Sequence, residues 1–183
     1  MRIVRIGYLG LTALALLSGT ALAALGQAES ASVTFTALGP AGLRIEGKTS
    51  ELDVKETEGV VTIGVPLAHL DTGISLRNKH MREKYLEVDK YPRAELTVNR
   101  TELKLPLGGG DTAGRIPGTM TIHGKTRPVT VDFTAKSSGG GKYAVVGSTH
   151  IDVKEYGIDV PSYLGVTVKP GVDLNVGFTA TDK

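Results

Sequence analysis

The sequence predicts an all-β protein: an eight-stranded antiparallel barrel with one short helix, following an N-terminal signal peptide. Three observations carry this. Apolar and polar residues alternate with period two over most of the chain. Short Gly-, Pro- and Ser-rich turns separate the alternating runs. A single window, Ser75 to Leu86, switches to a spacing of three and four residues.

The N-terminus comes first. Arg2 and Arg5 precede an apolar run from Ile6 to Leu25, and Thr20-Ala21-Leu22-Ala23 supplies an A-x-A cleavage site. This is the layout of a secretory signal peptide over residues 1–23, with a weaker site that would cut after Ala28. An uncleaved anchor is the alternative, since the run approaches the ~20 residues a span needs. Small residues at the cleavage positions favour removal, leaving no stable membrane anchor, and the absence of Cys excludes lipid attachment there. The expected location is periplasmic or secreted. The domain proper would span 29–183, about 155 residues, enough for one core. No disulfide can hold it, because there is no Cys. Loss of Arg2 and Arg5 lowers the 21 basic residues to 19, matching the 19 acidic ones. A near-neutral mature chain offers no electrostatic case for nucleic acid.

The strands follow in order. Val33, Phe35 and Ala37 alternate before the turn Gly39-Pro40-Ala41-Gly42, and Leu43 and Ile45 alternate after it. Pairing Ala37 with Leu43 sets Phe35 beside Ile45. The parity then shifts at Leu52 and Val54, as a bulge near Ser50 would cause. Val61, Ile63, Val65 and Leu67 form the next strand. The helical window begins at Ser75, a plausible N-cap, and ends before Tyr91-Pro92. Ala94, Leu96 and Val98 alternate again, and Leu103 and Leu105 extend this strand after a kink. Gly108 to Thr112 reads as a loop. The run GRIPGTMTIHGKTRPVTVDFTAK then forms a hairpin with Gly124-Lys125 as its turn, facing Met120 to Val129, Gly118 to Val131 and Ile116 to Phe133. A further turn at 136–142 sets Ala135 beside Tyr143. A longer connection, Lys154 to Pro170, leads to a last strand carrying Val172, Leu174, Val176, Phe178 and Ala180.

Such strands close most simply as an up-and-down barrel or a flattened sandwich. Small inward residues, Gly47, Gly118, Gly147, Ala37 and Ala94, either leave room for a ligand or relieve crowding at bends. An open, apolar lumen would suit a long hydrocarbon. The candidate walls are Phe35, Ile45, Ile63, Leu96, Val98, Met120, Val131, Phe133, Leu174, Val176 and Phe178. Arg77, His80 and Tyr85 are the candidate mouth. Asp71, Arg77, His80 and Arg82 form the most polar cluster, read either as a head-group clamp or, preferentially, as a loop–helix tie with Asp71 pairing Arg77. His123, at its turn, is expected to be exposed and structural. The four histidines lack metal-ligand spacing, Gly108 to Gly114 lacks the Lys-Ser/Thr of a phosphate loop, and no Ser sits in a nucleophile elbow. No metal, cofactor or catalytic residue is therefore assigned.

These residues resemble the YceI-like family of exported polyisoprenoid-binding proteins. The match rests on Asp71-Thr72-Gly73 with Arg77, on His80-Met81-Arg82, on Val88-Asp89-Lys90-Tyr91-Pro92-Arg93-Ala94, and on the stretch from Gly118 to Val129. The resemblance implies a lipocalin-like barrel with a helix packed beside it. It implies an isoprenoid or other long-chain lipid, a quinone being one candidate, held in the lumen. Two departures stand out: the first strand lacks an aromatic- and His-rich start, and Lys84-Tyr85-Leu86-Glu87 replaces a Phe-Phe pair. The resulting reading is a binding protein that may be contrasted with two rivals: a filled structural or stress-related barrel, and an enzyme using His80 or Asp71 as acid or base. A homodimer is left open.

Overall fold

The computed structural model describes residues 25–105, 110–163 and 166–182. The signal-peptide region therefore lies outside the described residues, as do part of the Gly-rich loop before Asp111 and Leu164.

Nine strands form one antiparallel sheet: β1 (Leu25–Leu38), β2 (Arg44–Thr49), β3 (Asp53–Thr57), β4 (Val60–Pro66), β5 (Arg93–Asn99), β6 (Asp111–Ile122), β7 (Lys125–Gly139), β8 (Lys142–Asp152) and, at the C-terminus, β11 (Gly171–Asp182). A two-stranded ribbon, β9 (Ser162–Tyr163) and β10 (Val166–Thr167), sits in the connection before β11. The sheet order is β2-β1-β11-β8-β7-β6-β5-β4-β3. Its two edges, β2 and β3, are consecutive in the chain, with only Ser50, Glu51 and Leu52 between them. The parity shift seen in the sequence is thus the elbow of one bent strand that serves both edges. Counting it once gives eight staves. β1 pairs with β11 from Leu25↔Asp182 to Ala37↔Val172, joining the first strand of the sheet to the last. A backbone bridge between Lys48 and Asp71 covers part of the β2 edge.

The alternating residues do face one side, but three hairpins pair two residues away from the expected partners. The central turn is His123-Gly124, not Gly124-Lys125, so Gly118 faces Val129 and Ile116 faces Val131. Both turn residues have positive φ, 53° and 69°, the two left-handed positions of a tight hairpin turn. Phe35 faces Gly47 and Ala37 faces Ile45. Ala135 faces Val145, with a bulge between Ser137 and Gly139. A two-residue slip leaves every side chain on its own face, because the strand period is two.

The register explains two of the small inward residues. A Cβ on Gly47 would lie 2.2 Å from the Phe35 ring, and one on Gly118 would lie 2.9 Å from Thr97 O and 3.0 Å from Val98. Gly47 is therefore the seat of its neighbour's ring and adds no empty space.

The two ends of the barrel differ. Phe133, Phe178, Tyr143, Leu103, Leu105 and Leu25 are buried together with Ala135 and Ala180 at the end holding the β7–β8 turn. Leu103 ends a 3-10 turn (Arg100–Leu103) rather than extending β5. At the other end the chain makes its longest excursions. α1 (Ser75–His80) passes without a break into a π-helical turn, Met81–Tyr85. Its N-cap is Ile74, not Ser75, and no side chain of the cap residue bonds to the helix. The 153–170 connection crosses the same end, pinned by Lys169 N–H donating to Leu38 O at 2.8 Å and Val153 N–H to Pro170 O at 3.0 Å.

Gly47→Val should destabilise the fold by about 1–3 kcal/mol, since the new side chain would collide with the Phe35 ring and force it out of its present position. Urea unfolding checks this; an unchanged midpoint would show that the ring moves freely.

Candidate functional site

A cavity of about 530 Å³ lies inside the sheet and opens toward the helix end. Phe35, Ile45, Ile63, Leu96, Met120, Val131, Leu174 and Val176 line it, as do Arg77, His80 and Tyr85 at the helix. Val98, Phe133 and Phe178 do not. They are inward-facing but lie nearer the sealed end, where side chains from adjacent strands fill the interior. Alternation assigns a face; it does not say how far along the barrel the hollow extends.

Sequence reasoning missed several lining residues. Ile74 and Leu76 stand at the opening and are 52% and 63% exposed. Met81 and Leu86 add apolar surface from the helix, and Ile158, Val160 and Val168 add it from the 153–170 connection. The last three follow no regular period, so no pattern could mark them. Asp159 and Lys169 are the charged lining residues on that side.

The polar cluster at the start of the helix is a tie. Arg77 Nε donates to Thr72 Oγ1 at 2.8 Å, and its Nη2 donates to Thr72 O at 2.5 Å. Thr72 donates from both its backbone N–H and its hydroxyl to Asn78 Oδ1, at 2.8 and 2.6 Å. Asp71 accepts from Gly73 N–H and from Asn78 Nδ2, at 2.8 and 2.7 Å. Arg82 Nη2 reaches Leu70 O at 3.1 Å. Arg77 thus engages Thr72, not Asp71 as the sequence suggested. Gly73, at φ 78°, provides the reversal that lets the loop fold back on the helix. Arg77 lines the cavity with one edge of its guanidinium already committed.

A second tie fixes the far end of the helix. His123, in the β6–β7 turn, contacts Glu87 Oε2 through Nε2 at 2.6 Å and faces Tyr156 O through Nδ1 at 3.3 Å. Its ring lies 4.5 Å from that of Tyr91, and the Tyr91 ring also covers Gly124. The His123 side chain is only 13% exposed, which corrects the expectation that the turn leaves it in solvent. The helix is consequently anchored at both ends to the rim of the barrel, and its middle roofs the opening.

Among the described residues, no three His, Cys, Asp or Glu side chains are grouped so as to hold a metal ion, and no helix is long and apolar enough to cross a membrane.

Fold and site together define a class: a curled antiparallel barrel, sealed at one end, with an apolar hollow under a short helix. The model of the YceI-like domain matches residues 26–180, and the chain belongs to that family. A UPF0312 protein of Pseudomonas savastanoi is 27% identical, covering 94% of this chain and 97% of that one. A UPF0312 protein of Vibrio cholerae is 29% identical over 63% of this chain and 60% of its own length. Among solved structures, a polyisoprenoid-binding domain from Saccharophagus degradans, implicated in plant cell wall breakdown, superposes with a TM-score of 0.73 at 17% identity, over 89% of this chain and 100% of that one. Burkholderia cenocepacia BcnA gives 0.64 at 20% identity, over 82% and 96%. At these identities the two structures establish the lipocalin-like fold.

The Asp71 carboxyl is held below the usual carboxylate range, chiefly by the Gly73 N–H and then by the Asn78 amide. A depressed folded-state value means that the tie contributes its stability above the unfolded-chain value of about 4 and loses it as the pH falls through the lower folded-state value. Acid titration of stability should therefore show a steeper loss below about pH 4 in the wild type than in Asp71→Asn. Equal acid limbs would mean that the carboxylate contributes nothing there.

Proposed function

We propose that the protein binds a long-chain isoprenoid or similar amphiphilic lipid, a quinone being one candidate, in the barrel cavity, for storage or transport. One observation carries this: the cavity is walled almost entirely by apolar side chains, yet opens at one end. Burying methylenes there yields about 0.8 kcal/mol each, so an alkyl or prenyl tail is the ligand that gains most from it. Arg77, His80 and Tyr85 stand on the helix side of the mouth, where a polar head would rest; Arg77 retains unpaired N–H donors for an acceptor group. Membership of the YceI-like family, and the polyisoprenoid-binding domain that shares the fold, support the same reading.

The cavity argues against a barrel filled by its own side chains. Binding is favoured over acid–base catalysis because Asp71 is not a lining residue and its carboxylate is committed to Gly73 and Asn78. The export-type leader supports a periplasmic or secreted location. Leu25, 3% exposed and with its N–H donating to Glu56 Oε2 at 2.7 Å, favours cleavage after Ala23 over cleavage after Ala28. Edman sequencing of the mature protein should accordingly begin at Ala24; a start at Glu29 would remove this part of β1.

Ala94 lines the cavity near its open end, opposite Val65 on β4. Ala94→Phe should fill part of the hollow and weaken uptake of a fluorescent prenyl alcohol at least about tenfold, with circular dichroism unchanged. A wild-type protein that carries no lipid in native mass spectrometry and takes up none of the probe would refute lipid binding.

A further inference from the structure

We propose that the mouth of the barrel docks on the surface of a lipid bilayer bearing anionic headgroups, with Ile74 and Leu76 entering the headgroup region. This rests on the reading of the cavity as a lipid site, but it concerns a different surface. Ile74 and Leu76 are among the most exposed large apolar side chains of the described residues, and both belong to the cavity lining. Exposed apolar surface at a cavity opening is continuous with the apolar interior, so a bilayer covering it would connect its own hydrocarbon to the hollow without an intervening layer of water.

A third exposed apolar residue lies at the same end of the barrel. The β1–β2 turn lies at the end crossed by the 153–170 connection, since Lys169 N–H donates to Leu38 O at 2.8 Å. Leu43, 59% exposed, therefore lies at the same end as Ile74 and Leu76.

Charge selects the occupant. From Ile74 to Leu86 the cations Arg77, Lys79, Arg82 and Lys84 stand against one carboxylate, Glu83, so the segment carries +3 while the rest of the mature chain carries −3. Lys79 and Lys84 are exposed; across the opening the exposed Lys169 is accompanied by one carboxylate, Asp159. A short helical segment with apolar residues at the rim and lysines beside them is the pattern of an interfacial anchor on anionic lipid. Both ends of the helix are tied to the barrel, by Thr72 with Asn78 and by His123 with Glu87. The anchor is thus rigid, and docking would present the cavity opening in a fixed orientation.

The test is flotation of the mature protein with vesicles of phosphatidylcholine alone or with about a third phosphatidylglycerol. The expected result is association with the anionic vesicles only, weakened by salt. I74E/L76E and, separately, K79E/K84E should each reduce it at least about tenfold. Both pairs are exposed, so folding should be unaffected, which circular dichroism verifies. Uptake of farnesol from solution, without vesicles, should be retained by K79E/K84E, whose residues do not line the cavity, and weakened in Ala94→Phe, which should still float. Wild-type protein that fails to float, floats equally with neutral vesicles, or floats undiminished in I74E/L76E overturns the docking. Concentration-dependent dimerisation in light scattering, abolished by I74E/L76E, would assign the patch to a second copy and also overturn it. Flotation without any farnesol uptake would leave the docking standing and refute the lumen site instead.

Discussion

The structure depends on one closure. β1 and β11 pair along nearly their full length, and the segment from β2 through the Ser50–Leu52 elbow to β3 supplies both edges of the sheet. A sheet of this size left open would expose two unpaired edges and one broad apolar face. Curling it brings the apolar faces of opposite strands toward each other, and the interior becomes a single volume. Whether that volume is packed or hollow is then decided by side-chain size along the barrel axis. At one end Phe133, Phe178 and Tyr143, with two leucines from the turn after β5, fill it. Toward the other end the lining passes to Val, Ile, Leu and Met, and the hollow begins.

The roof over that hollow is built from separate pieces of chain that have no strand pairing with one another. The Asp71–Asn78 turn holds the helix entrance through six hydrogen bonds among Asp71, Thr72, Gly73, Arg77 and Asn78 that need no bulk core. The exit is held by His123, Glu87 and Tyr91, which bring the hairpin turn of β6–β7 against the segment before β5. These are the same stretches that gave the chain its resemblance to the YceI-like family. Their arrangement gives them a mechanical purpose: they keep a short helix, too small to be stable alone, fixed across an opening.

Much of the fold was legible because a period of two is a strong signal when one face is buried. The strands, their inward faces and the shift near Ser50 could all be read. Hairpin partners could not, since a slip of two residues conserves every face, and the choice between His123-Gly124 and Gly124-Lys125 turns on His123 accepting a positive φ. Eight of the eleven wall residues lie on the hollow, while Val98, Phe133 and Phe178 lie beyond its end; depth along the axis leaves no mark in the alternation. Gly47 looked like empty space and is filled by a ring from the next strand. His123 looked like a solvent-facing turn residue, because its partners Glu87, Tyr91 and Tyr156 lie 30 or more positions away in the chain. The 153–170 connection carries no periodicity and was invisible for that reason; Leu76 fell within the helical period, which does not tell that it stands at the rim.

The pairing of the first strand with the last also bears on how the molecule comes into being. A chain emerging from its N-terminus presents β1 long before β11 exists, and contacts this distant in sequence form slowly because a long loop must close first. Until the final dozen residues are free, the nascent polypeptide is a greasy ribbon with no partner for its leading edge. Maturation therefore waits on the tail, and any truncation there should leave a species that adheres to itself.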